Sequence, residues 1–133
     1  MTFLKLPLQL GFLLLLGLLI GHERAKENKV IGVRTTTLIL LGSFAFAYMA
    51  PLLNIAEAPR IITGIAGAVG FIGSGIIWKG EDHIGNLTTS VLILVLAAIG
   101  CLLALDFWIE ALMFSIITWV ILDVYPKKQM NNQ

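Results

Sequence analysis

The chain has 133 residues, of which 58% are hydrophobic and 13% charged, with a formal net charge of +1 and a mean hydropathy of +0.93. That leaves too little polar surface to cover a water-soluble domain of this size, so the composition reads as an integral membrane protein whose first partner is the lipid bilayer. Charges this few, scattered between apolar runs, form no basic face for nucleic acid, and a lone cysteine, Cys101, excludes an internal disulfide or a CxxC redox pair.

Five apolar runs follow one another: Leu6 to Gly21, Thr35 to Ala56, Ile61 to Trp78, Ile84 to Leu105 and Ala111 to Leu122. About 20 helical residues cross a hydrocarbon core about 30 Å thick, so runs two to four qualify directly and the first qualifies if it begins near Phe3. It ends in Gly21-His22-Glu23-Arg24 with no small-x-small cleavage pattern, which favours a retained helix over a secretory signal. The fifth run is the shortest and spans only with Glu110 at one interface and Asp123 at the other. Asp106, between runs four and five, marks a tight helical hairpin.

These elements predict an all-α integral membrane protein, a compact bundle of about five transmembrane helices. With five spans, Arg24, Lys26, Lys29, Arg34, Lys79, Lys127 and Lys128 fall on one side, against Lys5 and Arg60 on the other. That bias places the N-terminus outside and the C-terminus inside. Trp78, Trp108 and Tyr125 then sit at headgroup depth. Residues 1–125 form a single transmembrane domain, and residues 126–133 a short polar cytoplasmic tail. The two stretches running from a glycine-ended helix through a charged loop to paired threonines, Gly17 to Gly42 and Gly70 to Gly100, also suggest a weak internal repeat.

The third run raises the sharpest question. Gly64, Gly67, Gly70, Gly73 and Gly75 cost a helix about 1 kcal/mol each relative to alanine. A three-residue step winds these positions around the helix, which suits a central helix approached closely by several neighbours. Gly17-xxx-Gly21 and Gly70-xxx-Ser74 are small-xxx-small pairs of the same kind. The alternative is an interrupted helix whose freed backbone groups line a protected polar site.

Charges cluster at helix ends. Glu23 beside Arg24 and Arg34 either forms a partly buried network pinning the first hairpin or leaves the cations to reach lipid headgroups. Asn86, Thr88 and Thr89 read as caps of the fourth helix, or as a helix start receiving an anion. His22 and His83 read as loop residues. No Ser-His-Asp order, nucleotide loop or metalloprotease motif occurs, so no enzyme activity, cofactor or metal site is expected.

Taken together, Gly21-His-Glu-Arg24, Gly32-Val-Arg-Thr-Thr-Thr through Ser43, Pro59-Arg-Ile61, Gly70-Phe-Ile-Gly-Ser-Gly75, Leu87-Thr-Thr89 and Ala98-Ile-Gly100 resemble the membrane domain of the MgtC/SapB family, from about Gly17 to Gly100. The resemblance implies a multi-pass protein of the bacterial inner membrane, short of the C-terminal soluble domain of longer members. It further implies a non-enzymatic role, regulating other membrane systems such as the ATP synthase or a transporter, in magnesium limitation, virulence or ion homeostasis. The positions it singles out are Gly21, Glu23, Arg24, Arg34, Thr35, Ser43, Arg60, Gly70, Gly73, Gly75, Thr88 and Thr89. Departures include Asn86 for the first glycine of the family's Gly-Leu-Thr-Thr, Leu94 for a tryptophan, Gly64 for a frequent glutamine, and Glu57-Ala58-Pro59-Arg60 where the family tends to have Asp-Pro-x-Arg. Two functions are therefore carried forward. One is a regulator, a homo-oligomer, that binds another membrane protein. The other is a small ion channel or transporter for Mg²⁺ or a monovalent cation, with its pathway beside the glycine-rich helix and Glu23, Arg34 and Arg60 as gate or relay.

Overall fold

A computed structural model of the chain describes residues 2–27, 29–53, 55–80 and 84–124. His83, Tyr125, Lys127, Lys128 and the polar tail lie outside the described residues. Among the described residues there are five α-helices: α1 (Thr2–Lys26), α2 (Val33–Leu53), α3 (Ala58–Ile76), α4 (Leu87–Ala104) and α5 (Trp108–Val124). The first four are long and apolar enough to cross a membrane. α5, with 17 residues, is about 25 Å long and runs back along α4.

The junctions after α2, α3 and α4 have local chemical causes. A 3₁₀ turn at Ile55–Glu57 separates α2 from α3, whose first turn carries Pro59 where its missing amide would be unpaired anyway. Between α4 and α5, Asp106 adopts φ 66°, and the Phe107 and Asp106 amides donate to the Leu102 and Leu103 carbonyls at 2.9 and 3.3 Å. This is a Schellman stop with a left-handed residue, and it makes the hairpin expected at Asp106. The α3–α4 connection is a two-residue ribbon, β1 (Trp78–Lys79) antiparallel to β2 (Ile84–Gly85), with the Trp78 indole laid over the bare backbone of Gly85.

The hub of the bundle is α4. More than half of its span is buried, against a third for α1 and α2 and 17% for α3. α3, α2, α1 and α5 form an arc around it in that order. The glycine-rich helix is therefore an unbroken helix at the edge of the bundle, not the central one. The reason is visible in α4, whose Leu92, Ile93, Leu96, Ile99 and Leu103 are buried on several sides, whereas α3 buries only Ile65, Val69 and Gly73. Large side chains fill space between four neighbours; a helix of glycines presents little to fill it with.

Glycine does set the close seams, at other positions. A Cβ on Gly21 would stand 2.5 Å from the Val33 Cα, and one on Gly17 would meet the Thr37 side chain. Four residues back along α1 thus corresponds to four residues on along α2, as an antiparallel hairpin requires. A Cβ on Gly100 would stand 2.6 Å from the Leu40 carbonyl oxygen, which fixes the α2–α4 seam. In the second hairpin, a Cβ on Gly73 would stand 2.8 Å from the Ser90 Oγ. Gly17 and Gly73 each meet the third residue of a Thr-Thr-Thr or Thr-Thr-Ser run, an echo of the repeat read from the sequence.

Candidate functional site

α1 does not end at Gly21 but runs five residues further and carries a cation into the bundle. Leu13, Leu16, Gly17, Ile20 and Arg24 recur at helical spacing on the buried side of α1, so the guanidinium occupies the next place in the core stripe. Arg24 is 3% exposed. Its Nη2 donates to the Thr89 hydroxyl at 2.6 Å, and its Nη1 donates to the Glu27 carboxylate at 3.4 Å.

An uncompensated charge at this depth costs a few kcal/mol, and Glu27, itself largely buried, supplies the compensation. Thr89 belongs to the first turn of α4 and is fully buried. One side chain therefore ties the end of α1 to the start of the hub helix. The Nε of Arg24 and the Oγ1 of Thr36, in the first turn of α2, are buried without a hydrogen-bond partner among the described residues.

The opposite end has a counterpart. Gln9, buried in α1, donates to the Leu103 carbonyl at 2.8 Å and to Asp106 Oδ1 at 3.1 Å, while Lys5 lies 3.5 Å from Asp106 Oδ2. The Trp108 indole donates to the same carboxylate at 3.4 Å and its ring packs on Phe12, 5.8 Å between centroids. α1 is thus fastened to the α4–α5 unit at both ends.

The sequence candidates divide accordingly. Gly21, Arg24, Ser43, Gly73 and Thr89 are buried at helix contacts; Ser43 donates to the Ile39 carbonyl and its Cβ faces Gly100 in the α2–α4 seam. Glu23 pairs with Lys26 at 3.8 Å, near the surface, instead of with Arg24 or Arg34. Arg34, Thr35 and Thr88 are exposed at the same end of the bundle. Arg60 begins α3 at the other end, pairs with Glu57 at 3.2 Å and is 81% exposed. Glu23, Arg34 and Arg60 therefore do not converge as a gate or relay. Gly70 and Gly75 are exposed, with nothing within 4 Å of where a Cβ would stand.

The caps expected at α4 are also rearranged. Asn86 makes no cap bond to the helix; its Nδ2 donates to the Ile76 carbonyl at 3.0 Å, closing the end of α3. Its φ of 63° is a left-handed conformation that glycine adopts freely and that asparagine tolerates best among other residues. That accounts for asparagine where the family motif has glycine. Sequence reasoning missed Glu27, Gln9 and Asp106 as partners. Glu27 stands three residues after Arg24 on a helical spacing, and Gln9 is a polar residue inside an apolar run, both signals that call for a partner.

Among the described residues, the apolar lengths of the helices and the polar ties at their ends define a multi-pass helical membrane protein. The chain belongs to the MgtC family, whose model matches residues 10–130. Similar proteins include Protein MgtC of Brucella abortus (36% identical, covering 66% of this chain and 37% of that one) and Protein SapB of Bacillus subtilis (34% identical, 91% and 60%). Protein SrpB of Synechococcus elongatus is 29% identical over 95% of this chain and 78% of its own. The chain spans little more than a third of the Brucella protein's length. No solved structure matches.

Proposed function

We propose that this protein is a non-enzymatic regulator of the bacterial inner membrane that acts by packing one helix face against another membrane protein. The observation that carries the reading is the outward side of α3. Thr63, Gly67, Gly70 and Ser74 recur there at helical spacing, all exposed, and neither glycine has an atom within 4 Å of its missing Cβ. Gly21, Gly73 and Gly100 offset their helix cost by close approach inside the chain; Gly67 and Gly70 do not. In lipid, helices associate through such close packing because no hydrophobic force drives them together. A small-residue face of this kind suits a neighbouring helix, from a second copy or from a partner such as the ATP synthase or a transporter. The family resemblance supports a role in magnesium limitation and ion homeostasis. The lysine and arginine distribution orients the N-terminus outside.

What weighs against the channel reading is the filled interior. Leu13, Leu40, Ile93, Leu96, Ile99 and Leu103 are all fully buried, and α3 is continuous, leaving a single chain with a packed core. The test combines two measurements. In a Cys101→Ala background, Ser74→Cys should crosslink to a second copy or to a co-purified membrane protein in native membranes, and adding Gly70→Leu should abolish the crosslink while the helical signal persists. Purified protein in sealed liposomes should pass no Mg²⁺, H⁺, K⁺ or Na⁺ above the leak; a flux that scales with protein would replace this reading with the transport one.

A further inference from the structure

The two glycines facing the α2–α3 contact raise a separate question. Gly42 on α2 and Gly64 on α3 both line an apolar groove of about 620 Å³, and neither has any atom within 4 Å of its missing Cβ. The groove runs from Thr35 to Phe46 along α2 and from Ile72 to Ile61 along antiparallel α3. Twelve residues on each wall, eleven steps along the helix, correspond to a length of about 16 Å. An extended hydrocarbon tail of about a dozen carbons has that length, and the lining is almost wholly apolar.

The two mouths differ in charge. At the Ile61 end the nearby cation, Arg60, is matched by Glu57. At the Thr35 end the exposed Arg34, in the first turn of α2, has no acidic partner among the described residues, and Thr35 itself lines the groove. Arg34 also marks the boundary of the apolar span of α2, the depth at which phosphates of a bilayer sit. A cation at headgroup depth, next in the chain to a residue of an apolar groove, is complementary to an amphiphile with an anionic head.

We infer that the α2–α3 groove is a binding site for one anionic phospholipid, its phosphate at Arg34 and Thr35 and one acyl chain lying between Gly42 and Gly64. The site is separate from the partner face, which lies nearly half a turn away around α3. It gives Arg34 and Thr35, exposed positions of the family motif, a ligand that structural packing does not supply.

Because both glycine positions open into empty space, Gly42→Leu and Gly64→Leu fill the groove without displacing any neighbour, so loss of binding is separable from loss of folding. The purified protein is exchanged into detergent with an equimolar mixture of phosphatidylglycerol and phosphatidylcholine, and retained lipid is counted by native mass spectrometry. The expected result is one retained phospholipid per chain, at least fivefold enriched in phosphatidylglycerol. Arg34→Gln should bring the ratio of headgroups to near one. Each leucine variant should lose the retained lipid while keeping wild-type circular dichroism and melting temperature. Equal retention by Gly64→Leu and wild type, or no headgroup preference in the wild type, would overturn the inference. So would a leucine variant that keeps its lipid but changes the number of copies per particle, since the groove would then hold another chain.

Discussion

A buried guanidinium has to find oxygen atoms within the protein, because lipid tails offer none. Arg24 finds them on Thr89 and Glu27, and two different substitutions should separate the roles. Thr89→Val keeps the shape of the side chain but removes the acceptor 2.6 Å from Nη2, which should cost about 1–3 kcal/mol and lower the melting temperature in detergent. Arg24→Gln removes the cation facing a buried carboxylate and should cost about 3 kcal/mol or more. Glu23→Gln is the control: its partner Lys26 is exposed, and such surface pairs are worth under about 1 kcal/mol. If Glu23→Gln melts as early as Arg24→Gln in the same thermal scan, the buried network is not what holds this end of the bundle together. At the next level of detail, Asn86→Val should be among the most damaging loop changes, since a β-branched residue at φ 63° is strained and the bond to the Ile76 carbonyl is lost as well.

At the scale of the helix, the glycines divide into two functional kinds, and an alanine scan read by melting temperature distinguishes them. Gly21, Gly73 and Gly100 face another helix so closely that a single methyl group meets backbone or side-chain atoms at 2.5 to 2.8 Å. Alanine there should destabilise, most at Gly21 and Gly100, where the neighbours are the Val33 Cα and the Leu40 carbonyl and have little freedom to move. Gly67, Gly70 and Gly75 meet nothing, so alanine should leave the isolated chain unchanged or up to about 1 kcal/mol more stable through helix propensity. A uniform response across both groups would mean that the seams are looser than the structure shows. This contrast also separates stability from association: Gly73→Leu should prevent folding, whereas Gly70→Leu should fold and fail only in assembly.

For the whole molecule, the arc of four helices around α4 leaves α3 and α5 as its two ends, and only α3 carries small residues outward. Orientation in the membrane is testable on the same footing. In a Cys101→Ala background, a cysteine at Lys79 should react with a membrane-impermeant thiol reagent only after the cytoplasmic side is opened, and one at Asp106 should react in intact cells; the reverse pattern would invert the topology. The positions of the spans were legible in the sequence because hydrophobicity against a 30 Å slab is a one-dimensional property that needs no knowledge of neighbours. The stop at Asp106 and the small-xxx-small contact of Gly17 and Gly21 were legible for the same reason, each being set by residues close in the chain. The sequence also marked out Arg24 and Thr89, 65 positions apart, but not that they meet. Which helix is the hub was decided only by the tertiary structure, because identical-looking glycines serve as seams or as open faces depending on what stands opposite. Gly73 has Ser90 against it and Gly70 has nothing, a difference of three residues along one helix that only the arrangement of the other four can create.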